Sequence, residues 1–439
     1  MKLDKTFGFL QKNFKTLLFF YLLVQLAYII FSPLKFRSDS LYYFKLAEDC
    51  LRLHTFYPAP VHLYEDYITA PLYINILVVL LKMYNSKITI GLFNILLNFL
   101  QLWLVYKLTV QIWGKEYGKL SVIIYIFYLS TLGMILFNLT EFLFNVLLLS
   151  SFYFYFQNGR YSVFISGIFA AASVSVRPIG WALLAAYLVN FLFAGDSIKF
   201  KLKEAGKIIA GALLFISLFG FFTYSNFGRF IFTSTNGPVN LLIGANDNAT
   251  GAYNDRVFQK GKAGYILQPE TKTYSEKENF WFTQASSWVF AHPIKYISLF
   301  PLKLVHMFIW DDITVSRLLN LNDWNLYRVM KNIFIQKENV PLLGGSLLTK
   351  FSYFFLLIIH HLYYFSVVVL FLLAITKNIK VIFKNQSLRL LLLFIIFGIS
   401  IHLLTFGDAR FKYPYMIIMM IFISPLVYQL VNPQKREQS

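Results

Sequence analysis

Stretches such as "TLLFFYLLVQLAYIIFS" at 16–32 and "SLRLLLLFIIFGISIHLLTF" at 387–406 recur along most of this 439-residue chain. Each matches the roughly 17 to 25 residues that an α-helix needs to cross the hydrocarbon core of a bilayer. No water is available there for backbone N–H and C=O groups, so only helices and closed barrels are viable, and unbroken apolar runs specify helices. Composition agrees: 57% of residues are hydrophobic and 14% charged, against roughly a quarter charged in soluble domains. The chain reads as an all-α polytopic membrane protein.

Ten segments are expected to span: 16–32, 89–112, 120–137, 141–157, 161–176, 179–194, 208–224, 351–374, 388–406 and 413–431. The runs at 72–84 and 296–310 are short, and the second carries Pro301, Lys303 and His306, which suits a helix at the interface. Cytoplasmic loops are enriched in Lys and Arg. If neither short run spans, "GKEYGK" (114–119), "GDSIKFKLKEAGK" (195–207) and "KNIKVIFKNQSLR" (377–389) all fall inside with the N-terminal "MKLDKTFGFLQKNFK". That topology leaves 33–88, the hairpin near Asn138 and Glu141, Arg177, the stretch 225–350 and the turn 407–414 outside. The expected organisation is a first membrane module at 1–224 with an outer loop at 33–88, an extracytoplasmic cap at 225–350, and C-terminal helices at 351–439. The net charge of +19 is scattered over short loops, so insertion topology explains it better than nucleic acid does. A single cysteine, Cys50, permits no internal disulfide. The first apolar run is longer than a signal-peptide core and has no A-x-A-like cleavage site after it, so it reads as a retained span.

The stretch "FRSDSLYYFKLAEDCLRLHTF" (36–56) follows that span. Tyr43, Leu46, Ala47, Cys50, Leu51 and His54 form one stripe of an amphipathic helix, with Lys45–Asp49 and Glu48–Arg52 pairs on the other side. Asp39 precedes the stripe. It has two readings, a helix cap favoured by the unpaired N–H groups and dipole, and a carboxylate held at the membrane surface to accept a proton.

Several stretches resemble, in order, elements of the GT-C superfamily of membrane glycosyltransferases. They fit in particular the branch like protein O-mannosyltransferases and the bacterial transferases of aminoarabinose. "DSLYYFKLA" (39–47) is similar to the acidic-headed helix after the first span, and "APLYINIL" (70–77) to a P-P-L-Y-x-x-x-L element. "NLTEFLFNVLLL" (138–149), "GIFAAASVSVRPIGWAL" (167–183), "NGPVNLLIGANDNATGAYND" (236–255) and "GDARFKYPYM" (407–416) resemble further elements, so the likeness runs along nearly the whole chain. It implies a helical bundle of about 10 to 12 spans with extracytoplasmic juxtamembrane helices. It also implies transfer of a sugar, with inversion, from a polyprenyl-phosphate donor to an acceptor hydroxyl on a glycan, lipid or protein; the chain departs from the family in having Ser40 where a second acidic residue often follows and Ala70 for the first proline of P-P-L-Y, so no metal and no cofactor is expected. The setting would be the cytoplasmic (inner) membrane of a bacterium, with the site on the extracytoplasmic face and membrane lipid, not nucleic acid, as partner.

Under that resemblance Asp39 is the matched catalytic carboxylate. Glu141, heading a span, positions hydroxyls or simply answers the helix dipole. Arg177 is either a snorkelling boundary residue or a clamp on the donor phosphate, for which its forked geometry is suited. Arg410 and Lys412 lie in an outer turn, where positive-inside statistics disfavour them, and are expected at the phosphate. Lys303, with His306 at i,i+3, would either add to that anionic site or form the polar face of an amphipathic interfacial helix. Tyr43, Asn246, Asp247 and His306 would touch donor or acceptor, although turn chemistry also accounts for Asn246 and Asp247. Asp311 and Asp312 receive no role. His360 and His361 are adjacent on one span and point apart, which makes them poor joint metal ligands and suits interior hydrogen bonding. A lipid-linked-sugar flippase or other transporter is the alternative. A transporter should line its spans with polar groups to the midplane, and these spans mostly do not.

Overall fold

A computed structural model of the chain describes residues 2–432 except 33, 35, 194, 196, 262–264, 266–268, 270, 320, 322–324 and 335–346. The described residues are helical throughout, apart from connecting turns and one isolated bridge between Ala252 and Gly407. α1 (Lys2–Lys12) leads into α2 (Phe14–Phe31), followed by α3 (Asp39–Arg52) and α4 (Pro71–Met83). Proline at the start of α4 gives up an N–H that would have no helical partner anyway. α5 (Lys87–Trp113) begins at Ser86, whose Oγ accepts from the Ile88 amide at 3.2 Å. The expected span 120–137 is instead two helices, α6 (Lys115–Phe127) and α7 (Leu129–Met134), broken at Tyr128. α8 (Glu141–Tyr155), α9 (Ser162–Val176), α10 (Trp181–Leu192) and α11 (Ile198–Phe227) complete the first bundle. α11 takes in most of the lysine-rich stretch expected as a loop, and ends where Gly228 adopts φ +76°.

α12 (Gly237–Gly244), α13 (Tyr274–Ala291), α14 (Pro293–Ser298), α15 (Phe300–Phe308), α16 (Ile313–Leu318) and α17 (Leu326–Phe334) are shorter. α13 opens with a reciprocal cap, in which the Glu276 carboxylate accepts from the Thr273 amide at 2.9 Å and hydroxyl at 2.8 Å. α18 (Leu347–Lys384), α19 (Gln386–Leu404) and α20 (Tyr413–Val431) follow.

Among the described residues, six helices are long and apolar enough to cross a membrane: α2, α5, α11, α18, α19 and α20. Burial ranks them. The apolar window of α20 is 72% buried, against 17% for α2 and 22% for α11, so α20 is the centre of the bundle and the other two lie at its edge. Close approach of α9 and α11 depends on glycine: a Cβ at Gly167 would stand 2.2 Å from the Ile208 carbonyl oxygen. Several polar groups at depth are paired with one another. Asn98 donates to Gln25 at 2.8 Å and to the Tyr21 hydroxyl at 3.1 Å, and accepts from Tyr125, tying α2, α5 and α6.

The two short apolar runs do not cross the bundle. Ala70 lines the large cavity described below, and the start of α5 lies at the same end, since Gly91 abuts Ile29 and Asn94 donates to the Phe137 carbonyl at 2.7 Å. α4 therefore starts and finishes on one side. The same holds for α14 and α15. Tyr296 donates to the Leu404 carbonyl and Lys303 to the Leu403 carbonyl, both at the cavity end of α19. Above them, Val239, Leu242, Ile243, Trp281, Ala285, Tyr296 and Phe406 form a small second core that holds α12 and α13 over the bundle.

Candidate functional site

Helix ends converge on a cavity of about 740 Å³. Asp39 enters it from the first turn of α3, Arg177 from the end of α9, His402 from the last turn of α19, and Arg410 from the short 3-10 turn before α20. The residues before α3 and α4, Ser38 and Ala70, have φ of +47° and +31° and both line the cavity. Such conformations are uncommon and costly away from glycine, and they cluster where a structure over-determines a site.

Four of the expected residues form one charged cluster. The Arg410 guanidinium donates to Asp39 Oδ2 at 2.7 Å, and its Nε lies 3.1 Å from Glu141 Oε1. The Arg177 guanidinium meets the same Glu141 oxygen at 2.7 Å. Glu141 is fully buried behind the wall, whereas the Asp39 side chain is 39% exposed. The Glu141 contacts are ion pairs without hydrogen-bond alignment, so the aligned bond from Arg410 goes to Asp39. Arg177 also lies over the faces of Phe144 and Phe411, about 6 Å from each ring centroid, and His402 stacks on Phe411 at 4.2 Å. Tyr43 lines the cavity beside Asp39, and burial together with that carboxylate pushes its phenol up to about 12. Among the described residues, no three or more His, Cys, Asp and Glu side chains converge to hold a metal ion. The positive charge between Asp39 and Glu141 is the Arg410 guanidinium.

Lys412, expected at the phosphate, does not line the cavity. It is buried, with its ammonium 3.0 Å from Asp311 and donating to the carbonyls of Trp310 and Ala409. Lys303 likewise turns inward, donating to the Leu403 carbonyl at 2.9 Å over the Tyr296 ring, and burial lowers its ammonium to about 8. It caps the end of α19. Asn246 caps α12, donating to the Leu242 carbonyl at 2.7 Å, and exposed Asp247 accepts from Trp288 and Lys295. Neither reaches the cavity, nor does His306. Backbone carbonyls engage Lys303, Lys412 and Asn246, and side chains engage Asp247.

Asp311, for which the sequence suggests no role, is the centre of a second cluster in the cavity wall. Its Oδ2 accepts from Ser130 at 2.9 Å and lies 3.0 Å from His360 Nε2. Burial pushes this carboxyl up, but the Lys412 ammonium and the His360 hydrogen bond outweigh it and hold the group at about 2. Interior hydrogen bonding is the role of both histidines, since His361 Nδ1 lies 2.9 Å from the Leu357 carbonyl. The partners in this cluster are far apart in sequence and no local motif marks them. Arg317, from α16, adds a further guanidinium to the lining.

A cavity with a half-exposed carboxylate beside two guanidiniums can take an anionic group on the cations and leave the carboxylate to accept a proton. Two solved structures share the architecture. The Archaeoglobus fulgidus oligosaccharyltransferase tethered to an acceptor peptide containing the NVT sequon matches with a TM-score of 0.50 at 13% identity, over 98% of this chain and 51% of that one. The archaeal oligosaccharyltransferase AglB from the same organism, in complex with an inhibitory peptide and a dolichol-phosphate, matches with a TM-score of 0.51 at 14% identity, over 98% and 52%. The chain thus spans about half the length of these structures, and the likeness is one of fold: a GT-C membrane bundle. No family model and no curated protein matches the sequence.

Proposed function

We propose that the chain is a glycosyltransferase that moves a sugar from a polyprenyl-phosphate donor to an acceptor hydroxyl, with inversion, at the cavity end of the bundle. That end is the extracytoplasmic face of a bacterial inner membrane, and the described residues within 225–350 form its cap. The observation that carries this reading is the Asp39–Arg410–Glu141–Arg177 cluster on the cavity wall of a GT-C fold. Sidedness is supported by charge: Lys199, Lys201, Lys203 and Lys207 on α11 and Lys377, Lys380 and Lys384 on α18 lie at the opposite end, as the positive-inside rule asks.

The chemistry is an exchange of partners. The donor phosphate takes N–H donors of Arg410 and Arg177, whose five-donor forks suit its oxygens. Asp39, released from Arg410, accepts the proton of the acceptor hydroxyl as that oxygen bonds to the anomeric carbon from the face opposite the phosphate. The carbon–oxygen bond to phosphate breaks, and the leaving phosphate keeps the electron pair under the two guanidiniums. Positive charge on the sugar acidifies the attacking hydroxyl late in the step, so placement of Asp39 matters more than strong basicity. A donor carrying one sugar, as in the O-mannosyl and aminoarabinose branch, is the finer form of this reading.

The test is transfer from a panel of radiolabelled polyprenyl-phosphate sugars by the purified protein, wild type beside Asp39→Asn. The expected outcome is label leaving the lipid with wild type only, the variant being slower by about 10²- to 10⁴-fold with unchanged melting. Label that crosses a vesicle bilayer still attached to its lipid, equally in both proteins, would instead make this a flippase.

A further inference from the structure

A second cleft, of about 350 Å³, opens between α12 and α13 and is lined by Gly237, Pro238, Leu241, Glu278, Asn279 and Phe282. It adjoins the large cavity: Gly237 lines both, and Val239 and Trp281, beside these residues in the chain, line the cavity. Its volume is at the lower end of the roughly 300 to 1,000 Å³ of small-ligand pockets. Three side chains on adjacent turns of α13 supply its chemistry. The Phe282 ring is 54% exposed although it belongs to a folded region with its own apolar core. The Glu278 carboxylate is half-buried, with no hydrogen-bond or ion-pair partner among the described residues, and burial raises its protonation range. The side-chain amide of Asn279 is unpartnered in the same sense. An unpartnered carboxylate and amide next to an open aromatic face form a surface that takes a hydroxyl-rich ring: the flat apolar face of a pyranose covers the aromatic, and its hydroxyls meet the planar polar groups.

We propose that this cleft is the acceptor subsite, and that it binds a neutral pyranose of a glycan acceptor through Phe282, Glu278 and Asn279. The inference rests on the glycosyltransferase reading for the word acceptor, and on the cleft alone for the word pyranose. Charge separates the two substrates. The cleft carries one ionisable lining residue, a carboxylate, which repels a phosphate, whereas Arg177 and Arg410 draw the donor headgroup to the other part of the cavity. The acceptor hydroxyl then approaches Asp39 from the α12 side, across Gly237.

The test is saturation-transfer NMR on the full chain in detergent with a panel of methyl hexopyranosides, and with free polyprenyl phosphate as the anionic probe. At least one methyl glycoside should bind to wild type, with binding weakened tenfold or more in Phe282→Ala and in Glu278→Gln and retained in Phe282→Tyr. Affinity for polyprenyl phosphate should be the same in all four proteins. The proposal is overturned if no methyl glycoside binds, if a sequon-like peptide binds the cleft in place of the sugars, if the two variants bind glycosides as wild type does, or if they lose polyprenyl phosphate instead. Glycoside binding without any sugar transfer would keep the subsite and remove the enzymatic reading. Transfer with an unchanged acceptor KM in both variants would remove the subsite and keep the enzyme.

Discussion

Glu141 shows how tightly single residues set the balance of this cavity. It is a fully buried carboxylate facing two guanidiniums, and breaking a buried ion pair by removing one partner costs about 3 to 5 kcal/mol, because the surviving charge is stranded. Glu141→Gln should therefore lower the melting temperature markedly. Polyprenyl phosphate should restore much of the loss, since an anion on Arg177 and Arg410 replaces the missing carboxylate. Thermal unfolding of wild type and variant with and without that lipid checks this, and an equal lipid-induced shift in both would mean that the guanidiniums do not hold the phosphate. At this scale the sequence was partly legible. Asp39, Glu141, Arg177 and Arg410 each sit at a helix end that the apolar runs and loop charge place on one side of the bundle, but that they touch one another is visible only in the folded chain. Lys303, Lys412, Asn246 and Asp247 carry the same signal, a polar group in an outer turn. Only the folded chain shows that a carbonyl, an aspartate or an indole already engages each of them.

Asp311 belongs to the scale of elements, because it joins three of them: Ser130 on α7, His360 on α18, and Lys412 just before α20. Its folded protonation point of about 2 lies below the value of about 3.9 for an unfolded aspartate. The stabilisation is thus fully present above pH 4 and is lost as pH falls from about 4 through about 2. Asp311→Asn should lower the melting temperature at pH 7 and flatten its fall between pH 4 and 2; parallel curves for variant and wild type would remove the tie. Lys412 and Arg410 share one turn and engage different carboxylates, Asp311 and Asp39, so the variant should also slow transfer by loosening Arg410. The same elements show where sequence reading stopped. The helices were visible as apolar runs, but the break at Tyr128 was not, because 120–137 reads as a predominantly apolar run without charge or proline. Beyond the break α7 packs closely on α16, where a Cβ at Gly133 would stand 2.3 Å from the Thr314 carbonyl oxygen, a contact no local sequence signal marks. The lysines of α11 were read as loop because polarity alone does not distinguish a solvated helical turn from a coil.

The whole molecule is polarised along the bundle axis, with cavity, α12, α13, α14 and α15 at one end and the lysine-rich helix ends at the other. Cys50 is buried and its thiol pushed up to about 12 by burial and the nearby Asp49 carboxylate, so the native cysteine is a poor target for a maleimide. Single cysteines placed at Phe290, which is 85% exposed, and at Lys203 on α11 should then report cleanly. In intact cells an impermeant maleimide should label the Phe290→Cys protein and spare Lys203→Cys until the membrane is opened. The reverse pattern would put the cavity on the cytoplasmic side. Loop charge reads α4 and the α14–α15 pair as returning to the side they left, and in the fold both ends of each lie at the cavity end of the bundle; which membrane face that is, the labelling decides.

The cluster of Asp39, Arg410, Glu141 and Arg177 has a kinetic meaning beyond its geometry. Its cations already have partners, so an arriving headgroup gains only the difference between its own oxygens and the carboxylates it displaces. Under the proposed reading, occupancy would follow the supply of donor in the bilayer, and after transfer the same carboxylates would compete for the guanidiniums and speed release of the used carrier lipid, resetting the site.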